Sequence, residues 1–194
     1  DNDMYKKDDW MNKYFIQKSS EQLEWFSYEL SDEKAVVTMQ KYFGCLNQSW
    51  GYVATYEYTV YPCGQVKVHL DAKTVQNGKL EPAFLPRLGV VLRADKSLQN
   101  TMWHGRGAGE NYEDTLTACP IGVYRSTVDD MGTNYVFPQE NGHREAVRWF
   151  SVGDGKNSML CTMEAPYGIN LSNYTDEMIE KAQHPWQLEK SGDV

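Results

Sequence analysis

The sequence predicts an all-β protein, a large antiparallel β-sandwich, on three observations. Apolar and polar residues alternate with a period of two along nearly every run past residue 34, which sorts side chains onto the two faces of a strand. Gly, Asn and Asp clusters separate these runs at short spacing, the pattern of hairpin-linked strands and not of βαβ units. Helical periodicity is scarce, while aromatic residues make up 13% of the 194 residues, with 13 Tyr and 6 Trp, bulk that suits the surfaces of sheets.

Taken in chain order, DDWMNKY places Trp10 and Tyr14 at i and i+4 and predicts a turn or two of helix. AVVTMQKYF, from Ala35, reads as a strand. Next, NQSWGYV, Asn47 to Val53, has Gly51 for a tight bend and Trp50 at the expected loop tip, where the ring either makes contacts or packs back on the protein. GYVATYEYTVY and GQVKVHLDAKTV flank Pro62-Cys63-Gly64 and predict a hairpin with strands over 52–61 and 65–75. In the second of these, Val66, Val68, Leu70 and Ala72 form the face to be buried, and Gln65, Lys67, His69, Asp71 and Lys73 the face left in water. LPRLGVVLRAD predicts a strand over 86–94, and AVRWFSV and NSMLCTMEA two more. GRGAG, 105–109, lacks the Lys-Ser/Thr of a phosphate loop and reads as a tight turn. TDEMIEKA reads as a short helix capped by Thr175, with two acids in its first turn. No repeat, low-complexity tract or linker interrupts this order, so residues 1–194 read as one domain with a substantial core.

Composition excludes several classes. A net charge of -8, from 27 acidic and 19 basic residues, leaves no basic stripe to follow phosphates, so nucleic acid is not an expected partner. No apolar run approaches the roughly 18 residues of a membrane helix. Cys45, Cys63, Cys119 and Cys161 form no C-x-x-C pair and are expected reduced and buried, in a cytoplasmic protein. A G-x-S-x-G elbow is absent, and none of the four histidines has a partner at metal-ligand spacing. His69, on a polar strand face, and His184, before Pro185, read as surface residues.

Two polar stretches stand out: WHGRGAGENYEDT, Trp103 to Thr115, and YVFPQENGHREAVRW, Tyr135 to Trp149. One reading is acid/base chemistry by Glu140 and His143, three residues apart across Asn141-Gly142. A second is scaffolding, with Glu110, Asn111 and Glu140 beside Arg106, Arg144 and Arg148, guanidinium groups able to pin loops by bidentate pairs. A third is sugar contact, with Trp103, His104 and Tyr112 as stacking faces and Asn141, His143 and Arg144 as hydroxyl partners. Scaffolding is the preferred reading, because ion-pair networks often imitate functional sites.

In this order the two stretches resemble the C-terminal β-sandwich domain of bacterial β-galactosidases of glycoside hydrolase family 2, with its W-x-G-R-G-P-x-E-N-Y-x-D-R and Y-V-x-P-Q-E-N-G-x-R patterns. The opening Asp1-Asn2-Asp3 is similar to that family's T-D-N-D linker, and Leu85 to Leu92 to the strand before its Trp-Gly-Arg motif. Ala108 and Thr115 depart from the family's usual Pro and Arg.

The resemblance implies a supersandwich of the galactose mutarotase type, truncated at its C-terminal end because family members continue past the position of Val194. The missing initiator Met likewise reads as a piece of a longer polypeptide. Implied too is a non-catalytic domain of an enzyme that hydrolyses terminal β-D-galactosides such as lactose, supporting a TIM barrel and its substrate opening, to which the loop at 47–53 lies near. Retaining hydrolysis needs two carboxylates about 5–5.5 Å apart, and in this family both belong to the barrel, so Glu110, Glu113 and Glu140 inherit no catalytic role. No cofactor is expected in this chain, and magnesium and sodium are implied for the full-length enzyme. The implied partners are the barrel and other domains of the same polypeptide or a complementary subunit, a β-galactoside, and further copies in a homo-oligomer. The implied location is the bacterial cytoplasm, with the periplasm also open. Two alternatives remain: an aldose 1-epimerase, which needs a His and a Glu converging on a sugar, and a carbohydrate-binding module.

Overall fold

A computed structural model describes residues 4–45, 48–76 and 82–194, so the expectations for Asp1-Asn2-Asp3 and for Asn47 fall outside the described residues. The chain divides into two compact units, Asp1–Gly89 and Val90–Val194, and each holds a four-stranded antiparallel sheet. The all-β class expected from the period-two pattern is what forms.

In the first unit, β1 (Ser20–Leu30), β2 (Ala35–Gly44), β3 (Trp50–Val60) and β4 (Val66–Gln76) lie side by side in chain order. The β3–β4 hairpin forms as its turn residues require. Tyr61 N donates to Gln65 O at 2.9 Å, Gly64 N donates to Tyr61 O at 2.9 Å, and Gly64 takes φ +89°, which a side chain would resist. β1 was not expected from the pattern. A bulge between Leu23 and Trp25 shifts its phase, so Leu23 and then Phe26, Tyr28 and Leu30 share a face at uneven spacing. The register aligns Phe26, Met39, Tyr56 and Leu70 in one row and Tyr28, Val37, Tyr58 and Val68 in the next. The opposite face carries Ser27, Thr38, Glu57 and His69. β4 alternates as expected, but of the face expected to be buried Val66, Val68 and Ala72 are exposed and Leu70 is half-buried, and all of β1 is exposed. Trp50 is the first residue of β3 and 5% exposed, so it packs inward and does not crown a loop. The turn at Trp10 closes by Tyr14 N donating to Asp9 O at 2.9 Å, one residue wider than an α-helical bond.

In the second unit, β5 (Asn100–Arg106), β6 (Ile121–Thr127), β7 (Arg144–Gly153) and β8 (Ser158–Ile169) form a sheet in the order β6-β5-β7-β8. Two short helices, α1 (Val128–Met131) and α2 (Asp176–Lys181), accompany it. Both are capped: Asp130 N donates to Thr127 Oγ1 at 3.2 Å, and Met178 N to Thr175 Oγ1 at 3.3 Å. The core gathers Trp103, Met131, Val147, Phe150, Val152 and Ile169, each large side chain contributing about 1.5–3 kcal/mol on burial.

The strand expected over 86–94 does not form. Pro82 and Pro86 remove two donors, Leu88, Val90, Val91 and Leu92 are exposed, and among the described residues the β-pairing is a bridge of Asp95 with Asp193 beside reciprocal Ala94–Val194 bonds of 2.8 and 3.0 Å. The four cysteines are free, but Cys63, at the hairpin tip, is exposed, against the expected burial.

Candidate functional site

The two polar stretches meet in the second unit. β5 delivers Trp103 to the core and ends at Arg106, and the loop of residues 107–115 follows. Gly105 is required there, because a Cβ would lie 2.8 Å from Val147 Cα and 2.7 Å from its Cγ2. On the other side Gly142 turns the chain into β7 at φ +80°. β7 then bulges at Ala146, φ +54°, whose carbonyl accepts from Arg148 Nη1 at 3.0 Å.

Asn111 joins the two segments. Fully buried at 0% exposure, it donates from N to His143 O at 2.9 Å, accepts from Glu145 N on Oδ1 at 2.8 Å, and donates from Nδ2 to Gly109 O at 3.0 Å. Tyr112 stacks on His143 with ring centroids 5.2 Å apart and planes 16° from parallel, and its hydroxyl donates to Glu140 Oε2 at 2.9 Å. Asn170 Nδ2 donates to the other oxygen, Glu140 Oε1, at 2.7 Å. Glu110 accepts from Gly142 N at 2.8 Å and from the Tyr135 hydroxyl. His143 Nε2 lies 2.8 Å from Glu145 Oε1, not against Glu140, so the pairing expected across the Asn141-Gly142 turn is not made. Asn141 Oδ1 instead accepts from Thr133 N at 2.9 Å.

The arginines bind carbonyl oxygens where carboxylates were expected. Arg144, 2% exposed, donates from Nη1 to Gly142 O at 2.9 Å and His143 O at 3.1 Å, and its guanidinium lies 5.3 Å from the centre of the Trp103 ring. Arg106 Nη1 donates to Leu116 O and Cys119 O at 2.8 and 2.9 Å. Each ties a loop down through its peptide oxygens, and His143 O and Leu116 O also accept from Asn111 N and Cys119 N.

The electrostatics follow. Burial pushes the Glu110 carboxyl upward, but Gly142 N–H, the Tyr135 and Thr133 side chains and Arg144 outweigh it, leaving Glu110 below the usual range. Tyr112 is raised by burial and by Glu140, and Tyr135 by its bond to Glu110. Burial pulls Arg144 below its ordinary value, with Glu110 opposing. A general acid needs a raised carboxyl, and Glu110 moves the other way.

Of the residues singled out in the sequence, Glu110, Asn111, Tyr112, Glu140, Asn141, His143 and Arg144 come together, with Arg144 over Trp103, which at 1% exposure offers no stacking face. His104 points from the other side of the sheet, its ring 6.3 Å from Trp149, and Trp50 belongs to the first unit. Tyr135, Glu145 and Asn170 complete the network unforeseen. Glu145 was open to inference from its place two residues past His143, whereas Asn170 reaches Glu140 across thirty residues with no local signal. Among the described residues no three His, Cys, Asp or Glu side chains converge to hold a metal.

A family profile described as the beta galactosidase small chain matches residues 1–194. The chain belongs to this family. Among the small-chain relatives, a beta-galactosidase of Vibrio cholerae is 35% identical over 125 residues, covering 64% of this chain and 11% of that protein. One of Halalkalibacterium halodurans is 31% identical over 133 residues, covering 68% and 13%. One of Actinobacillus pleuropneumoniae is 27% identical over 203 residues, covering 98% and 18%. The small-chain sequence thus spans between about a tenth and a fifth of the length of these curated relatives. Within it, Thr115 closes its own turn, its Oγ1 accepting from Tyr112 N at 2.9 Å. No helix among the described residues is long and apolar enough to cross a membrane.

Proposed function

We propose that the chain is a non-catalytic domain of a longer, retaining β-galactosidase of glycoside hydrolase family 2, that it folds as a single domain, and that it supports a catalytic barrel and its substrate opening. The observation that carries this reading is the use of Glu110, Glu140 and Glu145, the carboxylates of the hydrogen-bonded network, as braces. Glu110 is held by Gly142 and Tyr135, Glu140 by Tyr112 and Asn170, and Glu145 by His143. A retaining pair needs two carboxyls facing across a bond, one ionised and one raised, and these point into their own loops. The names of the relatives support the substrate class. On this reading the nucleophile, the acid and the magnesium and sodium sites belong to other domains of the polypeptide or to a complementary subunit, the assembly is a homo-oligomer, and it works in the bacterial cytoplasm.

The test is release of nitrophenol from a nitrophenyl β-galactoside. The full-length protein turns over, the chain by itself does not, and Glu110→Gln or Glu140→Gln in the full-length protein lowers stability while leaving kcat within about tenfold, well short of the loss expected for a general acid or base. Turnover by the chain itself, abolished by either substitution, would place the chemistry here and overturn the reading.

A further inference from the structure

Trp186 stands outside the site described above. It is 78% exposed, at the centre of the 3-10 turn Pro185–Gln187. An exposed indole usually loses rotamer freedom when a ligand orders it. Here that freedom is already reduced. The His184 ring covers one face of the indole, with centroids 4.2 Å apart and planes 10° from parallel. Pro185 restricts the backbone. Gln187 Oε1 accepts from Gln183 N at 2.8 Å and His184 N at 3.0 Å, and Gln187 N donates to His184 O at 3.0 Å. Among the described residues the Nε2 end of that carboxamide has no partner, which leaves a donor next to the turn.

An aromatic anchor of a protein interface sits among apolar neighbours that exclude water. Along the chain Trp186 is flanked by exposed polar residues instead, Gln183, His184, Gln187, Glu189 and Lys190. A flat ring with a polar border suits a ligand that is apolar on one face and hydroxylated at its edge. A galactopyranoside has that shape. Its axial O4 lies on one side of the ring, so C3–H, C4–H and C5–H share the other as a continuous apolar patch, which an equatorial O4 breaks up.

We propose that Trp186, backed by His184, is a stacking platform for the C–H face of a β-galactoside, separate from the network of Glu110, Tyr112 and Glu140. The choice of sugar rests on the β-galactosidase reading above. The platform presents one ring and one free amide, so binding is weak, with Kd on the order of 1–10 mM, about 3–4 kcal/mol.

The test follows the indole N–H resonances of the 15N-labelled chain, six in number for its 6 Trp, with Trp186 assigned from the resonance missing in Trp186→Phe. Methyl β-galactoside shifts the Trp186 resonance saturably, more tightly than methyl β-glucoside does, and His184→Ala weakens the binding several-fold by freeing the ring. A Trp186 resonance unmoved at about 100 mM sugar, far above the expected Kd, overturns the proposal, as does an equal response to the glucoside or an unchanged affinity in His184→Ala. Nitrophenyl galactoside turnover by the full-length protein is measured in parallel. Turnover with an unmoved Trp186 sinks the platform alone, and a galactoside-specific shift in a protein without turnover sinks the galactosidase reading alone.

Discussion

Single residues hold the two polar stretches together, and Gly168 is the sharpest case. A Cβ there would lie 2.4 Å from His143 Cε1 and 2.5 Å from Nε2. The imidazole cannot swing aside freely, because Tyr112 stacks on it and Glu145 pairs with it. Gly168→Ala is expected to cost about 1–3 kcal/mol, the range for overpacking. In a His143→Ala background the same change costs under about 1 kcal/mol, since the obstructing ring is gone. Urea denaturation of the four proteins measures the coupling, and a Gly168→Ala cost unchanged by His143→Ala would show that the ring is not what the methyl meets. Glu110 gives a pH dependence. Its folded-state pKa is depressed, so its contribution to stability is complete above the unfolded value of about 4.3 and is lost as pH falls through the lower folded value. Stability should therefore fall more steeply with acid in the parent chain than in Glu110→Gln, and parallel denaturation profiles from pH 6 downward would refute this.

At the scale of elements, the sheet of β1 to β4 carries the clearest consequence. One face is apolar from Leu30 and Val60 through Tyr28 and Val68 to Phe26 and Leu70, and much of it is exposed. Contiguous apolar surface on this scale marks an interaction site or an aggregation liability. The chain is expected to bind anilinonaphthalene sulfonate while its near-ultraviolet circular dichroism shows ordered aromatic side chains. Phe26→Ser combined with Val68→Thr reduces that binding without loss of the strand signal. Dye binding unaffected by the double change would place the exposed apolar surface elsewhere. The elements also show where periodicity succeeds. β3 and β4 were legible because both alternate cleanly and meet at Pro62-Cys63-Gly64. β1 was hidden by a bulge, and the run at 86–94 alternates well enough but finds no partner strand among the described residues, since alternation records a capacity for pairing and pairing needs a neighbour.

For the whole molecule, the all-β class, most strands, the Thr175 cap, the two polar stretches and, through their order and spacing, the family are legible in the sequence. These are local or linear properties: period, turn chemistry and motif order are written along the chain. Tertiary structure decided which polar group meets which. Glu140 and His143, neighbours in sequence, turn to Tyr112 and Glu145, Asn170 arrives from the far end of β8, and the arginines choose carbonyls over carboxylates. It decided, too, that Trp103 lies buried under Arg144 while Trp186 stands in solvent, although both are tryptophans in polar surroundings along the chain. The physical reason is that a hydrogen bond or a stacked ring depends on distance and direction in space, which the fold sets by satisfying buried peptide groups first, and no spacing along the chain encodes that outcome.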